Sequence, residues 1–166
     1  MAKEYSSAET VEQIAQGLIP NLHPELATAR LLYCFVDKAS VKGGVELLGK
    51  VKKLSGFNEW ALEKDFVIEV AQNRWNELSP KQQQALVDHL LERCTGEEDE
   101  KSGEMKWQIR EPEVQEFATI LRRHGAWHPG LVSFVEVAQN IELDEVIEEE
   151  AEIDIDDLVE QANTDN

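Results

Sequence analysis

The chain has 166 residues, the length of one typical domain, so we expect one folded unit with at most a tail. It carries 34 acidic and 16 basic residues, which gives a formal net charge of −18. This charge argues against binding to nucleic acid or to an anionic membrane through a large basic surface, because phosphates need cations opposite them. It favours a protein partner that is itself basic.

The negative charge is concentrated at the C-terminus. Residues 137–166 hold 12 acidic residues and no Lys or Arg, whereas residues 1–135 hold 21 acidic and 16 basic residues. We therefore expect a folded domain over residues 8–138 and an acidic tail over residues 139–166. Repulsion between like charges should keep the tail loose in isolation, but its interspersed aliphatic residues favour folding on a partner. The candidate partner-binding residues are Glu148, Glu149, Glu150, Ile153, Asp154, Ile155, Asp156, Asp157, Leu158 and Val159.

The sequence also predicts a soluble, cytoplasmic protein. No apolar run approaches the ~20 residues that cross a membrane, and the first residues lack the apolar core of a signal peptide. Cys34 and Cys94 form no CxxC pair, and we expect two buried free thiols rather than a disulfide.

The first half of the chain predicts a helix followed by strands. Apolar residues at helical spacing predict a helix over residues 8–19, which Pro20 should end, because proline disfavours helix in the residue before it. A short helical piece over residues 24–30 is compatible with the pattern. Apolar and β-branched runs then predict three strands, over residues 31–36, 45–51 and 66–70, in an antiparallel or mixed sheet.

The second half predicts mainly helices. Ser79, Pro80 and Gln82 supply the cap, the first-turn proline and the third-position glutamine of a helix that runs to about Cys94. Residues 105–109 alternate as in a strand, and residues 111–124 and 131–138 predict two more helices. The fold class is therefore α+β, with a short three- to four-stranded sheet packed on helices.

The best-capped helix carries a degenerate metal-binding motif. A zinc peptidase uses His-Glu-x-x-His, because two histidines four residues apart face one metal and the glutamate activates the metal-bound water. Here the same positions hold His89, Leu90, Leu91, Glu92 and Arg93. The first ligand is present, but leucine replaces the base and arginine replaces the second ligand.

Spaced motifs over residues 10–137 resemble the phage metallopeptidase family. They are residues 29–30, 37–38, 48–50, 66–71, Trp75, 84–89, 97–100, 103–107, 114–117 and 123–127. The resemblance implies a small zincin-like domain, in which a short sheet packs on the metal-binding helix. It also places a further histidine of the family at Pro112.

Three of the four positions that zinc hydrolysis needs, Leu90, Arg93 and Pro112, thus hold residues that cannot perform it. Leucine accepts no proton, arginine is cationic, and proline offers no side-chain donor. We therefore expect no catalytic residues, no metal site and no cofactor. A rearranged site is the alternative, with His89, Glu92 and Cys94 as remnant candidates and zinc as the cofactor.

The leading hypothesis is a catalytically inactive metallopeptidase-like phage protein that binds another protein, in the host cytoplasm if a phage encodes it. Its acidic surface suggests a nucleic-acid mimic that inhibits a host nuclease or defence complex, with no direct nucleic-acid or membrane binding. One alternative is a zinc-dependent peptidase with an altered ligand set. Another is an accessory protein whose tail only aids solubility.

The four tryptophans, Trp60, Trp75, Trp107 and Trp127, are predicted to be packing residues, because three of them adjoin apolar periodic segments. Trp60 lies in a connecting stretch, and it is the most plausible of the four to be an exposed anchor.

Overall fold

The computed structural model describes residues 2–140. The chain divides into two compact units, Met1–Glu111 and Pro112–Asn166. The first unit is α+β and the second is helical over its described residues, so the predicted α+β class is confirmed. The predicted partner-binding residues, from Glu148 to Val159, lie outside the described residues, and the predicted boundary between residues 138 and 139 stays a prediction.

A mixed four-stranded sheet forms the centre of the first unit. Its strand order is β1-β2-β6-β5, and the strands are β1 (Tyr5–Ser7), β2 (Leu31–Val36), β5 (Gly49–Lys53) and β6 (Phe66–Ala71). The inner strands β2 and β6 run parallel, with Leu31 opposite Phe66, while β1 and β5 pair antiparallel at the two edges. The predicted strands 31–36 and 66–70 are confirmed, and β1 was not predicted.

One face of the sheet is buried against two helices. Phe66, Ile68 and Val70 alternate along β6 and are fully buried, because successive side chains of a strand point to opposite faces. They share a core with apolar residues of α1 (Glu9–Leu22) and α4 (Pro80–Glu92). On the opposite face, buried Glu69 accepts a hydrogen bond from Lys52 at 2.6 Å.

Two hairpins flank this sheet. The first joins β3 (Ser40–Lys42) to β4 (Val45–Leu47) through Gly43 and Gly44, which both have positive φ and so turn the chain tightly. The single strand predicted over residues 45–51 is therefore wrong, because the chain divides into β4 and β5, which belong to different sheets. The second hairpin joins β7 (Cys94–Glu98) to β8 (Met105–Ile109), which confirms the strand predicted over residues 105–109.

Helix α1 continues past the stop predicted at Pro20 and ends at Leu22. A proline this close to the C-terminus removes only one hydrogen bond of the helix, and the N–H of His23 still donates to the carbonyl of Ile19 at 3.0 Å. The helical piece predicted over residues 24–30 is only a 3-10 turn, Pro24–Leu26. Two short helices were not predicted, α2 (Gly56–Leu62) and α3 (Gln72–Trp75).

In the second unit, the helix predicted over residues 111–124 is wrong in its first half. Helix α5 spans only Ala118–His124, because Phe117 has an extended backbone and its N–H donates to the Glu116 side chain. Helix α5 ends at His124, as predicted, and Gly125 follows it with a φ of 67°. The last predicted helix is confirmed and is longer, as α6 (Pro129–Asn140).

Arg30 and Asp65 fix the start of the parallel strand pair. The Asp65 carboxylate accepts hydrogen bonds from the Arg30 backbone N–H at 2.8 Å and from its guanidinium at 2.8 and 3.3 Å. The backbone N–H of Asp65 donates back to the Arg30 carbonyl at 2.8 Å. Burial disfavours the charged carboxylate, but the hydrogen bonds and charge of Arg30 outweigh it and hold the pKa of Asp65 below its ordinary value.

We expect Asp65→Asn to lower the free energy of unfolding at pH 7 by about 2 kcal/mol, because it leaves the Arg30 contacts incomplete at a buried position. The depressed pKa means that this stability is present above the unfolded pKa of about 3.9 and is lost as the pH falls through the folded value. Urea unfolding at pH 7 and pH 3 should therefore show a difference between wild type and variant that shrinks at pH 3.

The matched control is Glu100→Gln, which removes one carboxylate from the exposed turn of the second hairpin. It should change the free energy of unfolding by less than about 0.5 kcal/mol at either pH. A difference between wild type and Asp65→Asn that stays the same at both pH values would contradict the assignment.

Candidate functional site

Helix α4 begins as its sequence predicts. The Ser79 hydroxyl accepts a hydrogen bond from the Gln82 backbone N–H at 3.3 Å, and the Gln82 side chain accepts one from the Ser79 N–H at 3.0 Å. This reciprocal pair is a capping box, and Pro80 occupies the first turn. The helix ends at Glu92, so all four residues from His89 to Glu92 lie in its last turns, and Cys94 belongs to β7.

Leu90, at the position of the catalytic base, faces the core. It is 1% exposed, and a Cβ built on Gly49 would lie only 2.7 Å from its Cδ1 atom. The leucine therefore packs directly on the backbone of β5. A carboxylate at this position would enter the apolar core, where its charged form is disfavoured.

Arg93, at the position of the second ligand, is held in an ion pair. Its Nη2 atom lies 3.0 Å from both carboxylate oxygens of Glu111, which directly precedes Pro112 in the chain. Arg110 forms a second ion pair, through its Nη1 atom, with Oε1 of Glu92. These two ion pairs join the end of α4 to the residues after β8, and they place a guanidinium where the motif would need an imidazole.

The three remnant candidates do not form a shared site. His89 is exposed, whereas Cys94 is 1% exposed and donates a weak hydrogen bond to the Leu90 carbonyl at 3.6 Å. Burial raises the pKa of the Cys94 thiol to about 12, which favours the protonated thiol over the thiolate. Glu92 is engaged with Arg110.

A buried histidine that the sequence analysis missed contacts the motif. His23, at the end of α1, is 1% exposed, and its Nε2 lies 2.6 Å from Oδ1 of Asp88. Its Nδ1 has no hydrogen-bond partner among the described residues, although Glu92 and Glu25 lie 3.7 and 3.9 Å away. Asp88 precedes the first motif histidine and is thus used to hold α4 against α1. The contact spans 65 positions, and no local pattern signals it.

The residues at the motif do not fit a zinc ion. Zinc is held by neutral imidazoles, thiolates and carboxylates that converge on one point. Within residues 2–140, no three His, Cys, Asp or Glu side chains are placed to hold a metal together. Pro112, at the predicted further ligand position, begins the second unit.

The exposure of the aromatic residues refines the sequence analysis. Trp75 and Trp107 are buried as predicted. Trp60 is 75% exposed, so the prediction that it packs is wrong and the alternative of an exposed residue holds. Trp127 is 59% exposed, so the prediction that it packs is wrong; its indole N–H instead donates to Glu116 at 3.0 Å.

Cys34 is only partly buried and Cys94 is fully buried, and both cysteines are free thiols. In the described part of the chain, no helix is long and apolar enough to span a membrane.

We expect Leu90→Glu to lower the free energy of unfolding by about 3 kcal/mol or more, because it places an ionisable group in the core beside Gly49. Urea unfolding followed by circular dichroism measures the effect. The matched control is Gln84→Glu, which introduces the same side chain on the exposed face of α4 and should change the free energy of unfolding by less than about 0.5 kcal/mol. Equal stability of the two variants would show that Leu90 does not face the core.

Comparison with known proteins identifies the family of the chain. No curated protein and no solved structure matches the chain. The family described as Putative phage metallopeptidase matches residues 3–143, which include the sheet, the capped helix and the degenerate motif. This match confirms the resemblance that the spaced motifs indicated, and the chain belongs to that family.

Proposed function

We propose that this member of the phage metallopeptidase family has lost zinc hydrolysis and acts by binding another protein. The observation that supports the loss is the ion pair between Arg93 and Glu111, which occupies the position of the second zinc ligand. The buried Leu90 supports it as well, because leucine at the position of the base accepts no proton and packs in the core.

The charge distribution supports the binding role. The 12 carboxylates within residues 137–166 have no Lys or Arg among them, so they are not neutralised within their own segment. Aliphatic residues between these carboxylates, among them Ile153, Ile155 and Leu158, would supply apolar anchors on a partner. A partner with a basic surface fits this combination, because carboxylates can take the place of phosphates in a basic groove.

A protein that uses such a groove for nucleic acid, such as a host nuclease or defence complex, is the partner class that we propose. The segment would then act as an inhibitor by occupying the groove. The alternative is a zinc-dependent peptidase with an altered ligand set, and metal content distinguishes the two.

Zinc content is the first test. The full chain, expressed in zinc-supplemented medium without a metal-affinity tag, should contain far less than one zinc per chain by elemental mass spectrometry. His89→Ala serves as the control and should have the same content as wild type. About one zinc per chain that is lost in His89→Ala, together with chelator-sensitive peptide cleavage, would establish the peptidase instead.

Salt dependence of partner capture tests the binding role. Full chain immobilised on a resin should retain a partner from a bacterial lysate and release it as the salt concentration rises, because screening weakens exposed charge pairs. A tail variant with Glu148, Glu149, Glu150 and Glu152 changed to Gln should release it at clearly lower salt.

The matched control neutralises the same number of carboxylates elsewhere, at Glu97, Glu98, Glu100 and Glu104, in and around the second hairpin. This variant should retain the partner as wild type does. Capture that responds neither to salt nor to the tail substitutions would refute the proposal.

A further inference from the structure

Helix α2 presents two large aromatic residues to solvent. Phe57 is 74% exposed and Trp60 is 75% exposed, and none of the seven residues of α2 is buried. The two rings lie three positions apart in the sequence, on one side of the helix, with centroids 5.7 Å apart and planes tilted by 44°. Single exposed apolar side chains are ordinary, but a contacting Phe–Trp pair on a helix without buried residues is typical of a contact surface.

Two acidic residues lie in a cleft beside Trp60. Trp60 lines a cleft of about 340 Å³ together with Arg30, Gly56, Glu59 and Glu63. Glu63 directly follows α2 and has a φ of 52°, the left-handed region that residues other than glycine seldom adopt.

The cation in the cleft is already neutralised. The Arg30 guanidinium lies 2.8 Å from Oδ1 of Asp65 and 3.7 Å from Oε1 of Glu59. Among the residues that line the cleft, Glu59 and Glu63 carry two negative charges and Arg30 carries one positive charge, which Asp65 offsets from outside the cleft. The cleft is therefore net negative, and Trp60 forms its aromatic wall.

From this juxtaposition we infer that the aromatic–acidic cleft at α2 binds an Arg or Lys side chain of a cationic protein segment. An aromatic face attracts a cation through its ring quadrupole, the carboxylates of Glu59 and Glu63 supply the opposite charge, and Phe57 offers an apolar surface to the alkyl stem. The inference rests on the proposed function in one respect: the basic partner that the acidic tail fits would supply the cation.

The test uses a short peptide of alternating arginine and alanine, titrated into the ¹⁵N-labelled full chain. The readout is the indole N–H resonance of Trp60, assigned by its loss in Trp60→Phe. Because this signal reports one position, binding of the peptide to the acidic tail does not imitate it. The exposed Trp127 provides an internal reference within the same spectrum.

We expect the Trp60 resonance to shift saturably with the arginine peptide and not with the same peptide carrying glutamate, while the Trp127 resonance stays in place. Glu59→Gln with Glu63→Gln should weaken the binding measured at Trp60 about fivefold or more. The matched pair Glu97→Gln with Glu98→Gln, on β7, should leave it unchanged.

Two results would overturn the inference. One is a Trp60 resonance that does not move while the peptide binds elsewhere in the chain. The other is a resonance that moves with neutral phospholipid vesicles but not with the peptide, which would indicate a lipid surface. Neither result bears on the tail, whose role the capture experiment decides separately.

Discussion

The contact between Arg30 and Asp65 is the constraint on which the rest of the first unit depends. It aligns the starts of the two parallel strands, because the Asp65 carboxylate accepts a hydrogen bond from the Arg30 backbone N–H and the Asp65 backbone N–H donates one to the Arg30 carbonyl. A slip of one residue in this register would turn Phe66, Ile68 and Val70 out of the core. The carbonyl of Asp65 also accepts the N–H of Leu54, just after edge strand β5. Asp65 therefore bonds at the ends of three of the four strands, through its carboxylate and its backbone groups, and its carboxylate neutralises the arginine at the cleft beside α2.

The same scaffold can be stable without a metal, because the positions that a zinc site would use here contribute to packing and pairing. Leu90 adds apolar volume between α4 and the backbone of Gly49. Arg93 and Glu92 each pair with a residue that follows β8, and Asp88 joins α4 to His23 of α1. The exposed ion pairs contribute little free energy individually, so the core contact of Leu90 matters most for stability.

The sequence predicts the elements that have strong local signals. Strand β2 is a compact apolar run, β6 is rich in β-branched residues, and α4 begins with a complete capping box. Prediction from the sequence fails where a contact between distant residues, or a single backbone hydrogen bond, determines where a helix begins or ends. Pro20 does not end α1, because the lost hydrogen bond falls in the last turn, and the non-helical start of the second unit depends on how Glu116 binds the N–H of Phe117.

At the candidate site, sequence reasoning identifies which residue types are missing but not what those residues do instead. The motif alone shows that Leu90 is not a base, whereas its burial against Gly49 requires the fold, and the partner of Asp88 lies 65 positions away. The exposed residues also show that the sequence indicates residue type, whereas contacts require the fold. The position of Trp60 in a connecting stretch made it the most plausible exposed tryptophan, although packing was predicted for all four. Its contact with Phe57 and its place beside Glu59 and Glu63 follow from a helix that the sequence did not predict. A cation-binding surface of this kind can form on a helix whose side chains are not needed for core packing. Helix α2 is such a helix, because none of its side chains belongs to the core.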